Sequence, residues 1–133
     1  LMASGCGPLP PDGPYETYYY FQRQLKLKGT YKRGELDGPY ERYLKNGQLK
    51  EKGTYKRGEL DGLYELYYDN GLLQAKFTRV AGELDGPYEN YFRNGQLALK
   101  GTYNMGVRCG EWINPYRPPY AIPTLRDPCP DGN

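Results

Sequence analysis

The sequence predicts an all-β chain, an elongated antiparallel meander or solenoid of tandem 24-residue β-hairpin repeats with a proline-rich C-terminal tail. The first observation is that glycine recurs every 24 or 25 residues, and an aromatic residue follows each of these glycines two positions later. The pairs are Gly13/Tyr15, Gly38/Tyr40, Gly62/Tyr64, Gly86/Tyr88 and Gly110/Trp112. The second is that Asn-Gly, a strong hairpin signal, interrupts three alternating apolar segments. The third is that only 38% of the residues are apolar, which is too few for a thick core.

The repeat divides the chain into three parts. We expect a flexible N-terminal segment over residues 1–11, a repeat domain of about four and a half units over residues 12–113, and a proline-rich tail over residues 114–133. The prolines exclude helix and central strand from the tail. We therefore expect the tail to be extended and to fold back as a cap over the last units. The side chains of the tail that would cover the last units are Tyr116, Tyr120, Ile122 and Leu125.

The first unit has one residue more than the others and lacks Asn-Gly. We expect residues 21–23 to form a three-residue turn at this position. This turn places Glu16 opposite Lys28 and Tyr15 opposite Gly29, so the pairing that the other units predict is preserved.

In the second unit, Asn46 and Gly47 are expected to be the central residues of a two-residue type I′ turn, because both central positions of this turn need φ > 0. Counting back from the turn places Tyr40 opposite Gly53. A residue without a side chain at that position lets the tyrosine ring lie over the strand. The same turn is expected at Asn70-Gly71 and Asn94-Gly95.

The links between units are also expected to be hairpins. A turn at residues 57–58 places Gly53 opposite Gly62, and the whole chain then forms one meander. The third unit differs from the others, because Phe77 replaces the glycine and Arg79 replaces the tyrosine. We therefore expect this unit to be distorted or locally wider.

The opposite side of each hairpin carries a Glu–Lys cross-strand pair, worth a few tenths to about 1 kcal/mol. The pairs are Glu41–Lys52, Glu65–Lys76 and Glu89–Lys100. An ion-paired carboxylate is a poor general acid, and the chain has no histidine to act as a base or metal ligand. We therefore expect no catalytic residues, no cofactor and no metal site. The aspartates at the bends are expected to cap backbone N–H groups, namely Asp37, Asp61 and Asp85.

The charge pattern and the lengths of the apolar runs exclude two further classes of protein. Lys and Arg number 18 against 16 acids, and the two signs are interleaved, so the sequence has no basic stripe for nucleic acid. No apolar run approaches the roughly 18 residues that a membrane-spanning helix needs.

The three cysteines carry two separate predictions. Cys6 lies in "LMASGCG", which resembles the end of a bacterial lipoprotein signal, so acylation of Cys6 and anchoring to a membrane are expected. The alternative is a flexible segment with an incidental thiol. The other two cysteines are an even pair, and Cys109 takes the place that aspartate has in the other units. We therefore expect a disulfide between Cys109 and Cys129.

The units resemble the bacterial variant of the MORN repeat, as found in YwqK-type antitoxins, and the resemblance covers residues 12–113. It rests on the pattern G-x-Y-E-x-Y, a turn, L-x-x-K-G-T-Y and then G-E-L-D. The resemblance implies a twisted and curled single sheet without a catalytic site. It also implies a scaffold that binds proteins or phospholipid head groups, with an antitoxin-like role as one form of it.

The predicted binding site is an aromatic face that receives another protein. Its residues are Tyr40, Tyr43, Tyr64, Tyr67, Tyr88 and Trp112. Two alternatives stay open, namely that the rings are only the packing core, or that they form a groove for envelope carbohydrate or lipid head groups. A hydrolase is not expected, because no nucleophile has a base beside it. The expected location is the bacterial cell envelope or the exterior, with the cytoplasm as the alternative.

Overall fold

The computed structural model describes residues 7–116 and 128–130 and confirms the all-β fold class. Within these residues, nine β-strands form one open antiparallel sheet, in which each strand pairs with its neighbours in sequence. The strands are Gly13–Tyr18 (β1), Leu25–Lys32 (β2), Glu35–Tyr43 (β3), Leu49–Lys56 (β4), Glu59–Tyr67 (β5), Leu73–Val80 (β6), Glu83–Tyr91 (β7), Leu97–Asn104 (β8) and Val107–Ile113 (β9). Among the described residues, no helix is long and apolar enough to cross a membrane.

The register sorts the side chains into two faces, because residues directly opposite each other in a sheet point to the same side. One row crosses the strands as Tyr15, Gly29, Tyr40, Gly53, Tyr64, Phe77, Tyr88 and Gly101. We call its side the aromatic face. The adjacent row crosses them as Glu16, Lys28, Glu41, Lys52, Glu65, Lys76, Glu89 and Lys100. We call its side the charged face. The predicted Tyr–Gly and Glu–Lys registers are therefore confirmed.

The two-residue turns predicted at the Asn-Gly sites are wrong. The N–H of Leu44 donates to the carbonyl of Gln48 (2.8 Å), so residues 45–47 form a three-residue loop. Of these residues only Gly47 has a positive φ, of 87°, which is typical of a type I turn followed by glycine. A one-residue bulge at Lys50 then restores the predicted register of β3 and β4. The other two Asn-Gly hairpins have the same pattern.

The first hairpin has a longer loop than predicted. The N–H of Tyr19 donates to the carbonyl of Gln24 (2.8 Å), and residues 20–23 form a four-residue loop. Arg23 has a positive φ of 50° in this loop. A register shift near the end of β1 offsets the extra loop residue, so Glu16 still lies opposite its predicted partner.

The links between units are two-residue turns, as predicted, with positive φ at both Arg57 and Gly58. The predicted pairing of Gly53 with Gly62 is wrong, because Gly53 lies opposite Tyr64. Gly62 has a φ of 122°, and β5 contains two extra residues around it. Since side chains alternate with a period of two, this even offset keeps Leu60 and Tyr64 on the same face, as predicted.

The third unit is not distorted in its pairing, contrary to the prediction. Phe77 lies directly opposite both Tyr64 and Tyr88, and the register shifts occur at the same positions as in the other units. The larger side chain is accommodated because its ring packs between the two tyrosine rings, as described below.

The sheet is a single layer with little buried core. Among the described residues, the buried apolar side chains are Tyr40, Ala75, Cys109 and Cys129, and no large side chain is less than 2% exposed. Each strand therefore buries its side chains mainly against the two neighbouring strands, as in other repeat arrays.

The predicted disulfide between Cys109 and Cys129 is present, with the two Cα atoms 4.9 Å apart. Cys109 lies opposite Thr102, two residues along β8 from Lys100, and both cysteines are buried. The bridge therefore fixes residues 128–130 to the charged face of the last hairpin.

The other predictions for the chain ends lie largely outside the described residues. Of the predicted cap, Tyr116 is described: its ring contacts that of Phe92 edge-to-face at 5.1 Å. Tyr120, Ile122 and Leu125 lie outside the described residues, as does Cys6.

Candidate binding surface

The rings of the aromatic face pack against glycines of the preceding strand. A Cβ atom built on Gly53 would lie 2.8 Å from Cδ2 of Tyr64, and one built on Gly101 would lie 2.1 Å from Cδ2 of Trp112. The prediction that Tyr40 covers Gly53 is therefore wrong, since the ring from the following strand lies against it. The absence of a side chain at these positions is what allows the close approach.

The same rings also contact one another across the strands. Tyr40 packs edge-to-face against Tyr55, with centroids 5.3 Å apart. The rings further along the array form one continuous row with centroid separations of 5.2, 6.0 and 6.0 Å, in the order Tyr64, Phe77, Tyr88 and Trp112. Aromatic pairs of this kind contribute about 0.5–1.5 kcal/mol each beyond their burial. Tyr40 is only 8% exposed and belongs to the packing core of the sheet, whereas Tyr64, Phe77, Tyr88 and Trp112 are half-buried.

Glu51 is a polar centre on the aromatic face that was not among the predicted binding residues. Its carboxylate accepts hydrogen bonds from Nε of Arg42 (2.8 Å) and the hydroxyl of Tyr64 (2.6 Å). Burial raises the pKa of Glu51, but these hydrogen bonds outweigh it and the pKa is lowered. Counting units would have singled this residue out, because the equivalent positions are apolar: Leu27, Ala75 and Leu99.

Two of the six predicted binding residues are not on the aromatic face. Tyr43 and Tyr67 point to the charged face, where their hydroxyls donate to Glu41 (2.6 Å) and Glu65 (2.7 Å). The physical reason is the strand period of two, since Tyr40 and Tyr43 are three residues apart and must point to opposite sides. The structure therefore brings together only four of the predicted residues on the aromatic face, namely Tyr40, Tyr64, Tyr88 and Trp112.

The charged face is one row of alternating charges rather than a set of separate pairs. Glu65 accepts from Lys52 of the preceding unit (3.0 Å) and from its predicted partner Lys76 (3.4 Å). Burial raises the pKa of Glu65, but the hydrogen bonds from Tyr67 and Lys52 outweigh it, so the pKa is lowered. This carboxylate is therefore ionised at neutral pH and serves to hold three strands together.

The hydrogen-bonded tyrosines make stability sensitive to alkaline pH. Burial raises the pKa of Tyr40 to about 12, and the hydrogen bond to Glu41 raises the pKa of Tyr43 to about 12. In the unfolded chain both ionise near about pH 10. Their contribution to stability is thus complete below about pH 10 and is lost as pH rises toward about 12.

We expect the urea midpoint of unfolding to fall between about pH 9 and about pH 11 as the unfolded chain releases these protons. A Tyr43→Phe variant should lose part of this pH dependence. Tyr20→Phe is the matched control, because Tyr20 is 90% exposed and should leave the dependence unchanged. Equal slopes of midpoint against pH in the parent and Tyr43→Phe would contradict the role of Tyr43.

Asp61 and Asp85 cap backbone N–H groups, but these groups are not the local ones at their own bends that the sequence predicted. Their carboxylates accept the N–H of Ala81 (3.4 Å) and of Met105 (3.3 Å). Each cap reaches the turn of the following unit, 20 residues away, so it links neighbouring hairpins. Cys109 occupies the equivalent position in the last unit and forms the disulfide with Cys129 instead. Within residues 7–116 and 128–130, no cluster of three or more acidic or cysteine side chains is arranged to hold a metal ion.

The first hairpin presents an exposed aromatic loop that sequence reasoning missed. Tyr20 and Phe21 are 90% and 88% exposed, and Tyr20 lines a groove of about 450 Å³ with Tyr18, Tyr19 and Arg23. The only signal in the sequence was the extra residue in this unit. The neighbouring segments 18–26 and 43–50 contain four cations and no acid, namely Arg23, Lys26, Lys45 and Lys50.

Comparison with known families agrees with this geometry. Residues 36–57, 60–79 and 84–105 each match the family model of the MORN repeat variant. These matches correspond to the hairpins β3–β4, β5–β6 and β7–β8, which have the same loops, bulges and Tyr-Glu motif. A search of curated proteins found no match to the chain. Residues 36–105 are therefore an array of three tandem repeats of the MORN repeat variant.

Proposed function

We propose that the chain is a non-catalytic repeat scaffold that binds another protein through its aromatic face. The observation that carries this proposal is the single-layer sheet. Among the described residues, no second layer of secondary structure covers the row of rings. Sheets normally bury such a face against another layer, and apolar faces left uncovered mark interaction sites. The MORN repeat variant is a repeat module that typically mediates binding.

The dimensions and chemistry of the face suit an extended protein surface. Nine strands about 4.8 Å apart give a row about 38 Å long. The rings are fixed by their packing on glycines, so binding would order few side chains and cost little entropy. Near the middle, Arg42 is partly exposed beside Glu51, and this ion pair offers a polar contact that would fix the orientation of a partner.

The carboxylates support a scaffold rather than a hydrolase. A general acid needs a pKa raised toward neutrality, whereas hydrogen bonds from Lys100 and Tyr91 lower the pKa of Glu89. The pKa values of Glu51 and Glu65 are also lowered. Acylation of Cys6, an envelope location and an antitoxin-like role stay predictions.

A matched pair of substitutions in β5 tests the aromatic face. Leu66 lies on the aromatic face opposite Glu51 and Ala75, whereas Leu63 lies on the charged face and is 46% exposed. Leu66→Lys places an ammonium beside the Glu51 carboxylate, so the fold should tolerate it, but a partner would have to desolvate that charge. Leu63→Lys is the control on the other side.

The partner would be isolated by affinity chromatography, identified by mass spectrometry, purified and titrated against the three chains. We expect Leu66→Lys to weaken binding at least about tenfold, equivalent to about 1.4 kcal/mol. Leu63→Lys should bind like the parent. If both variants bound the partner with equal affinity, the aromatic face would not be the docking surface. Circular dichroism and urea unfolding would show that each variant is folded.

The exposed loop of the first hairpin favours a second candidate, a lipid-head-group-binding module. Aromatic rings prefer the membrane interface, and each nearby cation adds about 1 kcal/mol on an anionic surface. We expect the parent chain to cosediment with vesicles of phosphatidylglycerol more than with phosphatidylcholine. Tyr20→Ser with Phe21→Ser should reduce cosedimentation with the anionic vesicles, because the rings no longer enter the interface, whereas Phe92→Ser in the fourth hairpin should not. No preference for the anionic vesicles would dismiss this candidate.

A further inference from the structure

The three Asn-Gly loops share two hydrogen bonds, one accepted by Oδ1 of the asparagine and one donated by the glycine N–H, whereas Nδ2 of Asn70 differs from the other two and donates to the carbonyl of Arg93 (2.8 Å). In the second unit, Oδ1 of Asn46 accepts the N–H of Gln48 (3.0 Å), and the N–H of Gly47 donates to the carbonyl of Leu44 (2.9 Å). Nδ2 of Asn46 donates to Oε1 of Gln48 (3.1 Å). The equivalent contacts of Asn70 and Asn94 have Oδ1 distances of 3.0 Å and glycine N–H distances of 3.0 and 2.8 Å.

Asn-Gly is also the dipeptide in which asparagine deamidates most readily, because glycine offers no side chain to hinder the reaction. The glycine amide loses its proton, and its nitrogen attacks Cγ of the asparagine. A C–N bond forms, and the side-chain nitrogen leaves as ammonia. Water then opens the resulting succinimide at one of its two carbonyls and yields aspartate or isoaspartate. No oxidant or reductant takes part. All three asparagines are exposed, so solvent access does not limit this reaction.

The loop geometry opposes the reaction at two points. The first is proton loss, because the amide proton of each glycine is already donated to a carbonyl. The second is ring closure. A planar five-membered ring needs Cβ of asparagine eclipsed with the glycine nitrogen, which sets ψ roughly 120° away from the value near 0° of this position in a type I turn. The Oδ1 and Nδ2 hydrogen bonds also resist the rotation of the side-chain amide.

We propose that Asn46, Asn70 and Asn94 are latent deamidation sites, which the folded hairpins keep unreactive and the opening of a single hairpin releases. Each conversion thus records the local opening of one repeat. A product isoaspartate adds a methylene to the backbone and a negative charge to the loop, so it would prevent that hairpin from closing with its original register.

The test is a comparison of the folded chain with the same chain unfolded in urea, both held at neutral pH and physiological temperature. Peptide mapping by mass spectrometry would follow aspartate and isoaspartate at each site. In urea the three sites should convert at similar rates. In the folded chain each should convert at least about tenfold more slowly, since a hairpin with an opening free energy above about 1.4 kcal/mol is open less than a tenth of the time. Folded rates within about twofold of the unfolded rates would overturn the proposal.

Hydrogen exchange supplies a second readout, because exchange and deamidation both need proton loss from the same glycine amide. We expect the slowing of deamidation at each site to follow the protection of the amides of Gly47, Gly71 and Gly95. A Tyr116→Ala variant removes the contacts of the Tyr116 side chain with Phe92 and Gln96. These two residues flank the Asn94-Gly95 loop, so the variant should destabilise that loop. The deamidation of Asn94 and the exchange of Gly95 should change by the same factor, with Asn46 as the internal control. A change in one rate without the other would overturn the proposal.

Discussion

Replacing Gly101 with valine is expected to lower the free energy of unfolding by about 3 kcal/mol, at the upper end of the range for overpacked sites. A Cβ atom at this position would lie 2.1, 2.3 and 2.6 Å from three ring atoms of Trp112. The indole cannot easily move away, because its Nε1 donates to the carbonyl of Cys109 (3.1 Å) and its ring packs against Tyr88 and Arg108.

Urea unfolding followed by circular dichroism would measure this effect, and the fluorescence of the single tryptophan would report the displaced ring. Thr102→Val is the matched control, since it changes the next residue of β8 on the other face and should alter stability by less than about 0.5 kcal/mol. Gly53→Val should have a smaller effect than Gly101→Val, because the contact of a Cβ with Tyr64 would be 2.8 Å. Parent-like stability of Gly101→Val would show that the Trp112 ring does not lie on this glycine.

Loss of the Cys109–Cys129 bridge is expected to cost about 3 kcal/mol. The bridge closes a segment with a sequence separation of 20, and the chain-entropy account gives about this value for loops of such length. The loss of hydrogen-exchange protection should be confined to β8 and β9, because Cys109 lies opposite Thr102 on the charged face. The N-terminal hairpins contact mainly the strands next to them in sequence and should keep their hydrogen-exchange protection.

Cys129→Ser would be compared with Cys6→Ser in urea, each with and without reductant. Cys129→Ser should lower the midpoint, and reductant should then have no further effect on it. Cys6→Ser should behave like the parent chain and should remain sensitive to reductant. If maleimide reacted freely with both Cys109 and Cys129 in an oxidised sample, the bridge would be absent, and Cys129→Ser would then not lower the stability.

The register within the Asn-Gly hairpins, away from their loops, could be predicted from the sequence, because the two strands of each hairpin are neighbours in the chain and the loops are short. The register across the links between units could not, because β5 contains two extra residues around Gly62. Glu41 opposite Lys52 and Tyr40 opposite Gly53 followed from counting alone. The turn type could not be predicted in the same way. A two-residue turn and a three-residue loop with a bulge both place Gly47 at positive φ, and they differ only in the conformation of the asparagine and in the extra residue at Lys50.

The binding surface was predicted less well than the fold. Similar residue type suggested that Tyr43 belongs with Tyr40, although their spacing of three puts them on opposite sides of the strand. The role of Glu51 also escaped notice, because its importance depends on the hydroxyl of Tyr64, which reaches it from the next unit. In a sheet each side chain meets residues from two neighbouring strands, and a count within one hairpin considers only one of them.

The sequence by itself thus determined the number and order of the strands, their antiparallel pairing and the alternation of glutamate with lysine. These features depend on local contacts with a fixed period of 24 residues. Only the tertiary structure decided which ring lies on which glycine, which tyrosine hydroxyl reaches Glu51 and on which face of the sheet Cys129 is fixed. These outcomes depend on side-chain directions and bulges between different units, for which the repeat pattern allows several solutions and packing selects one.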